Sequence, residues 1–307
     1  MKDFSILITT YNRLQELKIT LSSLSDIILS ETNILICDDA STDGTYDWLK
    51  INYQNIEVYR NDNNRGLIYS RNFLLSKVNS TFAISLDDDS NFLSIDPLGK
   101  IKEHFQYNNR CAVISFRIFW GLTVPTSIQS NENSSIVKSF VGCGHVWNMK
   151  AWNDIPNYPS WYKFYGEEAF ASFQLVQKDW EVHYLPSVLV HHRVDNKARV
   201  NNKDYYVRQM LALRADWFNY LIFFPKLFMV KKIFYSLIMQ LKKAVQYKSW
   251  KIFNLTLRAL WSIFENYKLI KFSRNSLSKN QLKKWIDLPP AKIYWKPIGN
   301  YIGNGKN

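Results

Sequence analysis

Glycine is scarce in this sequence, ten in 307 residues, and the first of them, Gly44, lies far beyond the opening apolar run Phe4–Thr10. A dinucleotide fingerprint or a Walker loop needs glycines at the first turn, where backbone amides must approach phosphate, so both readings lose their main support. Cysteine is scarcer still. Cys37, Cys111 and Cys143 are odd in number and have no CxxC spacing, which suggests neither a disulfide framework nor a zinc knuckle and fits a reducing cytoplasm. Met1-Lys2-Asp3 runs straight into the first apolar segment, leaving no room for a secretory leader. The longest uncharged runs in the last third, Trp217–Pro225 and Ile233–Leu241, are nine residues each, well short of the ~20 that span a bilayer.

What is present divides unevenly. An apolar content of 47% supports a full core. Residues 1–200 carry 19 Lys+Arg against 22 Asp+Glu, whereas residues 201–307 carry 20 against 4. A mildly acidic half does not seek out a polyanion, so the basic half is the candidate for that task. The expected division is a catalytic and nucleotide-sugar-binding domain over 1–204, a basic aromatic helical region over 205–285 and an irregular tail over 286–307.

Over the first half, short apolar runs alternate with helical periodicity. Phe4–Thr9, Asn33–Cys37, Ile56–Tyr59 and Phe82–Leu86 read as strands, and Leu14–Leu29, Gly44–Tyr53 and Leu67–Val78 as helices. This is the pattern of an α/β fold with a mostly parallel sheet flanked by helices. Ligands of such sheets sit beyond the carboxyl ends of the strands. Polar segments follow those ends: Thr10-Tyr11-Asn12-Arg13, then Asp38-Asp39-Ala40-Ser41-Thr42-Asp43-Gly44, then Asp87-Asp88-Asp89.

Three consecutive aspartates at a strand end repel one another unless a cation neutralises them. Hard oxygen ligands suit magnesium or manganese, which complete their shells with water and substrate phosphates; the implied substrate carries a diphosphate. The same residues also make turns and helix caps, and Asp39 is open to either a capping role or acceptance of a pyrimidine imide N–H.

These segments resemble the inverting family 2 glycosyltransferases, whose fold is the Rossmann-like GT-A type. The resemblance rests on Thr10–Arg13, Asp38–Thr45, Asn64-Arg65-Gly66-Leu67 with Ser70-Arg71-Asn72, and Leu86–Asp89. It continues through Gly142-Cys143-Gly144-His145, Tyr165-Gly166-Glu167-Glu168 and Val190-His191-His192-Arg193. A Tyr205-Tyr206-Val207-Arg208 segment is similar to one in bacterial rhamnosyltransferase-like enzymes of surface polysaccharide assembly. The family usually has aspartate second in the acidic pair and often an arginine seven residues later, where this chain has Glu168 and Leu175.

The resemblance implies inverting transfer from a UDP- or dTDP-sugar to a hydroxyl of a glycan or lipid-linked glycan. It implies a donor site from Thr10, Tyr11, Asn12, Arg13, Asp39, Arg71, Asp87 and Asp88, and a Mn2+ or Mg2+ ion on Asp89 and Asp87 with His192 (or His191) as a further ligand. Glu168 is the expected base, with Glu167 in reserve. The pair is adjacent, unlike the two flanking carboxylates of a glycosidase. His145 is expected on the acceptor side, His104 and His183 at a surface or in ordinary packing, and Trp161, Tyr162, Phe164 and Tyr165 either on a sugar ring or in the core. Competing readings are a sugar-nucleotide nucleotidyltransferase, which lacks its glycine-rich loop here, and a non-catalytic scaffold of the same fold.

Beyond Tyr205 helical spacing dominates. Ile233, Leu237, Leu241 and Val245 recur at four-residue steps among Lys231, Lys232, Lys242 and Lys243. Such amphipathic helices suit an anionic membrane surface, placing the protein peripherally on the inner face of the cell membrane; the same faces also suit packing on the catalytic domain or on a second copy of the chain. Nucleic acid is not an expected partner.

Overall fold

The computed structural model describes residues 2–24, 26–195 and 204–297. The expected boundary at 204/205 adjoins residues 196–203, and these, like the last part of the expected tail, 298–307, lie outside the described residues. Four strands form the parallel part of the sheet: β1 (Phe4–Thr10), β2 (Thr32–Asp38), β3 (Glu57–Arg60) and β4 (Phe82–Asp87). Their order is β3-β2-β1-β4. β8 (Gly144–Asn148) then runs antiparallel between β4 and β6 (Cys111–Trp120). β9 (Glu181–His192) lies parallel to β6, and the short β5 (Ser90–Phe92) and β7 (Ser135–Ile136) pair antiparallel with β9. The parallel arrangement thus belongs to the first four strands, and the sheet beyond Asp87 is mixed.

Alternation along each strand serves two cores. Leu7 and Leu35 face one cluster, which also contains Ile68, Trp147, Phe170 and Phe218. Ile6, Ile8 and Ile36 face the other, with Leu17, Leu49 and Ile101. Helices α1 (Leu14–Ser22), α3 (Thr45–Asn52) and α5 (Pro97–Tyr107) supply the latter residues, and α4 (Leu67–Leu75) and α7 (Glu167–Gln177) flank the former. The single helix expected over Leu14–Leu29 is broken. Ser22 and Ser23 hydroxyls donate back to the Ile19 and Thr20 carbonyls at 3.0 and 2.6 Å, competition that closes α1, and α2 (Asp26–Glu31) follows separately. A short helix α6 (Met149–Asn153) follows β8 directly.

The C-terminal helices are α8 (Tyr205–Phe223), α9 (Lys226–Gln246), α10 (Trp250–Glu265), α11 (Tyr267–Ser273) and α12 (Lys279–Asp287). The first of them completes the catalytic half's core through Ala215, Phe218, Ile222 and Phe223. On its other side Leu213 and Trp217 meet Leu255 and Ala259 of α10. After α12 the chain returns to the sheet: the Lys138 amide donates to the Pro289 carbonyl at 2.9 Å, and Trp295 is buried against Phe119 and Leu189. No helix among the described residues is long and apolar enough to cross a membrane.

Phe218 is fully buried, its ring 5.1 Å from that of Trp161 and 5.4 Å from that of Tyr162. Phe218→Ala is therefore expected to cost about 3–5 kcal/mol, read as a lower urea midpoint in one cooperative transition. An unchanged midpoint would mean that α8 is not part of the core.

Candidate active site

The site is built on an arginine inside the molecule. α4 turns Ile68, Arg71 and Leu75 toward the core, a spacing of three and four residues that puts them on one face. Arg71 is 6% exposed. Its Nη1 donates to Glu167 Oε1 at 2.9 Å, and its Nη2 to Asp87 Oδ1 at 2.8 Å and to the Gly142 carbonyl at 3.0 Å. Burial pulls its pKa down, but Asp87 and Glu167 more than reverse this, and the net shift is upward. One cation thus joins the end of β4, the start of α7 and the loop before β8.

Asp39 positions α4. Its carboxylate accepts from Asn61 Nδ2 at 2.7 Å and from the Arg65 and Gly66 amides at 2.8 Å each, folding the turn that precedes the helix. Gly66 there has φ +89°, a conformation that favours glycine. Asn12 knits the first two strand ends together, donating its amide to Ser41 Oγ at 2.8 Å and accepting the Thr42 amide at 2.7 Å. Tyr11 beside it is exposed.

The aspartate triplet splits by direction. Asp87 and Asp89 turn to His192, whose Nε2 lies 3.0 Å from Asp89 Oδ1 and 4.0 Å from Asp87 Oδ2. One ligand atom from each of the three lies within 4.8 Å of the other two. Burial raises the Asp89 pKa, but His192, Arg13 and Arg193 outweigh it and the net shift is downward, so this carboxylate stays ionised. Two carboxylate oxygens and an imidazole are a donor set that fits Mn2+ well, and Mg2+ through its oxygens. His191 points to the opposite face of β9 and bonds the Gly121 carbonyl at 2.8 Å, so His192 is the histidine that faces the carboxylates.

Asp88 points away from this group. It accepts from Thr10 Oγ1 at 2.9 Å, its backbone carbonyl accepts from Thr20 Oγ1 at 2.7 Å, and Arg13 Nε lies 3.1 Å from its carboxylate. Burial, against Arg13, pushes its pKa up to about 8. Arg13 also reaches Asp89, Nη2 to Oδ2, at 2.6 Å. Thr10, Arg13 and Asp88 therefore brace the turn from beneath. Arg193, just past the end of β9, does the same, bonding Asn91 Oδ1 at 2.6 Å and Thr20 Oγ1 at 2.7 Å.

The acidic pair is asymmetric. Glu167 is buried and held by Arg71. Glu168 is partly exposed, and a Cβ added to Gly142 would lie 2.4 Å from its Oε1 and 3.0 Å from Arg71 Nη1. Only glycine lets both side chains pass there; the Gly142-Cys143-Gly144 run carried that signal. Desolvation and then the charge of Glu167, against Arg71, push the Glu168 pKa up to about 8. Gly166, just before the pair, has φ +86°, and its carbonyl accepts from Asn219 Nδ2 of α8 at 3.1 Å. Tyr162 belongs to the core, Trp161 and Tyr165 are partly buried and pack against it, and Phe164 is partly exposed. His145, expected on the acceptor side, is buried: it is 1% exposed, bonds the Val141 carbonyl at 3.1 Å, and burial and Arg71 lower its pKa to about 3.

Sheet order and strand-end carboxylates are those of an α/β fold of the GT-A type. The sequence profile described as glycosyl transferase family 2 matches residues 5–160. The chain belongs to that family. Among solved structures, GalNAc-T7 with UDP, GalNAc and Mn2+ superposes with a TM-score of 0.58 at 13% identity, over 73% of this chain and 48% of that one. S. aureus TarS 1-349 gives 0.51 at 19% identity, over 72% and 66%. The mannosyltransferase PcManGT from Pyrobaculum calidifontis, in complex with GDP-Man and Mn2+, gives 0.54 at 13% identity, over 92% and 83%. The chain thus spans less than two thirds of the GalNAc-T7 and TarS structures. These likenesses are of fold. No curated protein matches the chain.

Arg71→Met leaves Glu167 and Asp87 without their cation. The expected loss is about 3–5 kcal/mol in urea unfolding at pH 7, partly restored when Glu167→Gln is added.

Proposed function

We propose that the chain is an inverting, metal-dependent glycosyltransferase that moves a hexosyl or deoxyhexosyl group from a UDP- or dTDP-sugar to a hydroxyl of a glycan or lipid-linked glycan in bacterial surface polysaccharide synthesis. The observation that carries this reading is the Asp87–Asp89–His192 group lying beside an acidic pair of which one member is held and the other is not. The solved structures of similar fold support the donor class, since they hold UDP with GalNAc and Mn2+, UDP-GlcNAc, and GDP-Man with Mn2+.

A divalent ion on Asp87, Asp89 and His192 would supply Lewis-acid charge to the leaving diphosphate, so no general acid is required. The acceptor oxygen attacks the anomeric carbon as the bond from that carbon to the diphosphate oxygen breaks, and the hydroxyl proton passes to Glu168. Glu167 is the reserve, because its Oε1 accepts from Arg71 and its free Oε2 is buried away from an acceptor. Arg71 sets the position of Glu167, and a raised pKa makes Glu168 the stronger base once ionised. Thr10, Arg13 and Asp88 form the floor on which the donor rests. Asp39 combines its turn-forming bonds with the donor's base pocket.

Glutamate where the family usually has aspartate favours one second reading, a non-catalytic scaffold. Glu168→Gln decides between them: turnover is expected to fall by about 10²–10⁴ with UDP affinity kept, whereas a scaffold shows no turnover in either form. Because the reactive form is the carboxylate, turnover is expected to rise as pH climbs toward about 8, well above the ordinary glutamate range of ~4.3. A pH-rate profile that is already flat from pH 5 upward would count against Glu168.

The C-terminal helices support a peripheral place on an anionic membrane at its cytoplasmic face. α9 buries no residue. Leu227, Phe234 and Tyr235 on α9 and Trp250, Trp261 and Phe264 on α10 are exposed among lysines, an apolar surface larger than solvent-facing helices normally carry. Binding to phosphatidylserine vesicles, measured by co-sedimentation, is expected to weaken with added salt and with Trp261→Ser or Phe234→Ser. Self-association without vesicle binding, seen by sedimentation velocity, would assign the surface to a second copy of the chain.

A further inference from the structure

Away from the carboxylates, at the opposite end of β9, the fold brings together three side chains that the linear sequence keeps 79 positions apart at the extremes. His104 comes from α5, Cys111 opens β6 and His183 is the third residue of β9. His104 Nε2 lies 2.9 Å from His183 Nδ1. Cys111 Sγ and these nitrogens all lie within 4.8 Å of one another. Cys111 is fully buried and His183 is 5% exposed, while His104 is partly exposed and opens the cluster to solvent. The register of β6 on β9 shifts between Cys111 and Val113, an irregularity of the kind that re-aims a side chain.

We infer that His104, Cys111 and His183 form a second metal site, suited to Zn2+, that staples α5 to the two strands beneath it. The donor set is two imidazoles and a thiol, borderline to soft, which favours zinc over the magnesium or manganese that suits carboxylates. A tetrahedral zinc with bonds of ~2.0–2.3 Å puts donor atoms roughly 3.3–3.8 Å apart. The His–His separation must open slightly and the thiol must close, within the reach of side-chain rotation. The surroundings are those of a metal-bound histidine: His183 presents its other nitrogen, Nε2, to Glu181 Oε2 at 3.1 Å. That carboxylate fixes the tautomer and leaves Nδ1 as the free lone pair. Arg110 in turn holds the other oxygen of Glu181.

Protons balance without a further reactant. Without metal, His104 Nε2–H donates to His183 Nδ1; on binding, the His104 proton moves to its Nδ1, and Cys111 releases one proton to solvent. Water completes the fourth position on the partly exposed side. The strand from His183 to His192 is on the order of 30 Å long, so the cluster is a separate site from the carboxylates at the other end.

Cobalt is the probe, because a thiolate ligand gives Co2+ a sulfur-to-metal charge-transfer absorption that carboxylate and imidazole ligands do not. The full-length reduced chain titrated with Co2+ is expected to develop this band. Asp89→Asn should keep it, and Cys111→Ser and His104→Ala should lose it. In the Asp89→Asn background, which takes a carboxylate ligand from the other site, Zn2+ should raise the melting temperature, and adding Cys111→Ser should abolish that rise. The inference is overturned if folded wild type shows no charge-transfer band, or if the band survives both Cys111→Ser and His104→Ala. Since wild type alone can overturn it, a variant that fails to fold does not rescue it.

Discussion

A guanidinium taken out of water must be paired, and in this fold Arg71 is paired on three sides at once. Losing hydration costs several kcal/mol per ion and is offset only where partners sit at bonding distance, so the position of Arg71 dictates where Asp87, Glu167 and the Gly142 carbonyl must be. The chain of dependence runs back from there. Asp39 folds the Asn61–Gly66 turn, the turn aims α4, and α4 delivers Arg71. Forward from it, fixing Glu167 leaves Glu168 as the carboxylate without that ion pair.

The same economy separates the three aspartates. Residues two apart at a strand end share a side, so Asp87 and Asp89 face His192 while Asp88 faces Thr10. Each side has its own neutralising partner. Arg13 spans the division, reaching Asp88 through Nε and Asp89 through Nη2. Three consecutive acids are therefore tolerated without crowding because two of them face a shared site and the third turns the other way, to a hydroxyl and a cation. Opposite pKa directions follow, Asp88 upward through desolvation and Asp89 downward through its cationic neighbours.

What the sequence made legible was local. Short apolar runs read β1, β2 and β4 to within a residue or so, and the strand-end acids followed from them. The opposite facing of His191 and His192 follows from the alternation of side chains along a strand. What stayed hidden depends on contacts between distant positions. Arg71 and Glu167 are 96 positions apart, and nothing near Arg71 distinguishes it from a surface arginine on an early helix. The closure of α1 turns on two serine hydroxyls that a hydrophobic pattern does not weigh. His145 follows the glycines of Gly142-Cys143-Gly144, yet it stands inside an interior strand between β4 and β6. His104 and His183 show no metal spacing along the chain, and only packing of α5 on β9 brings them together.

The charge asymmetry suggested two separable halves, but the contacts bind them through the acidic pair itself. Ala215 sits so close under Gly166 that a Cβ there would lie 2.6 Å from it, and Asn219 links the Gly166 carbonyl at 3.1 Å to the Tyr162 hydroxyl at 3.0 Å. Arg214 bonds the Tyr162 carbonyl as well. α8 is thus the support on which α7 begins, and Trp217 on its outer side carries α10. The basic helices are thus joined through α8 to the turn that sets Glu167 and Glu168, in close-packed contact that leaves neither free to move alone. The acidic half supplies the carboxylates and the basic half holds the turn from which they project.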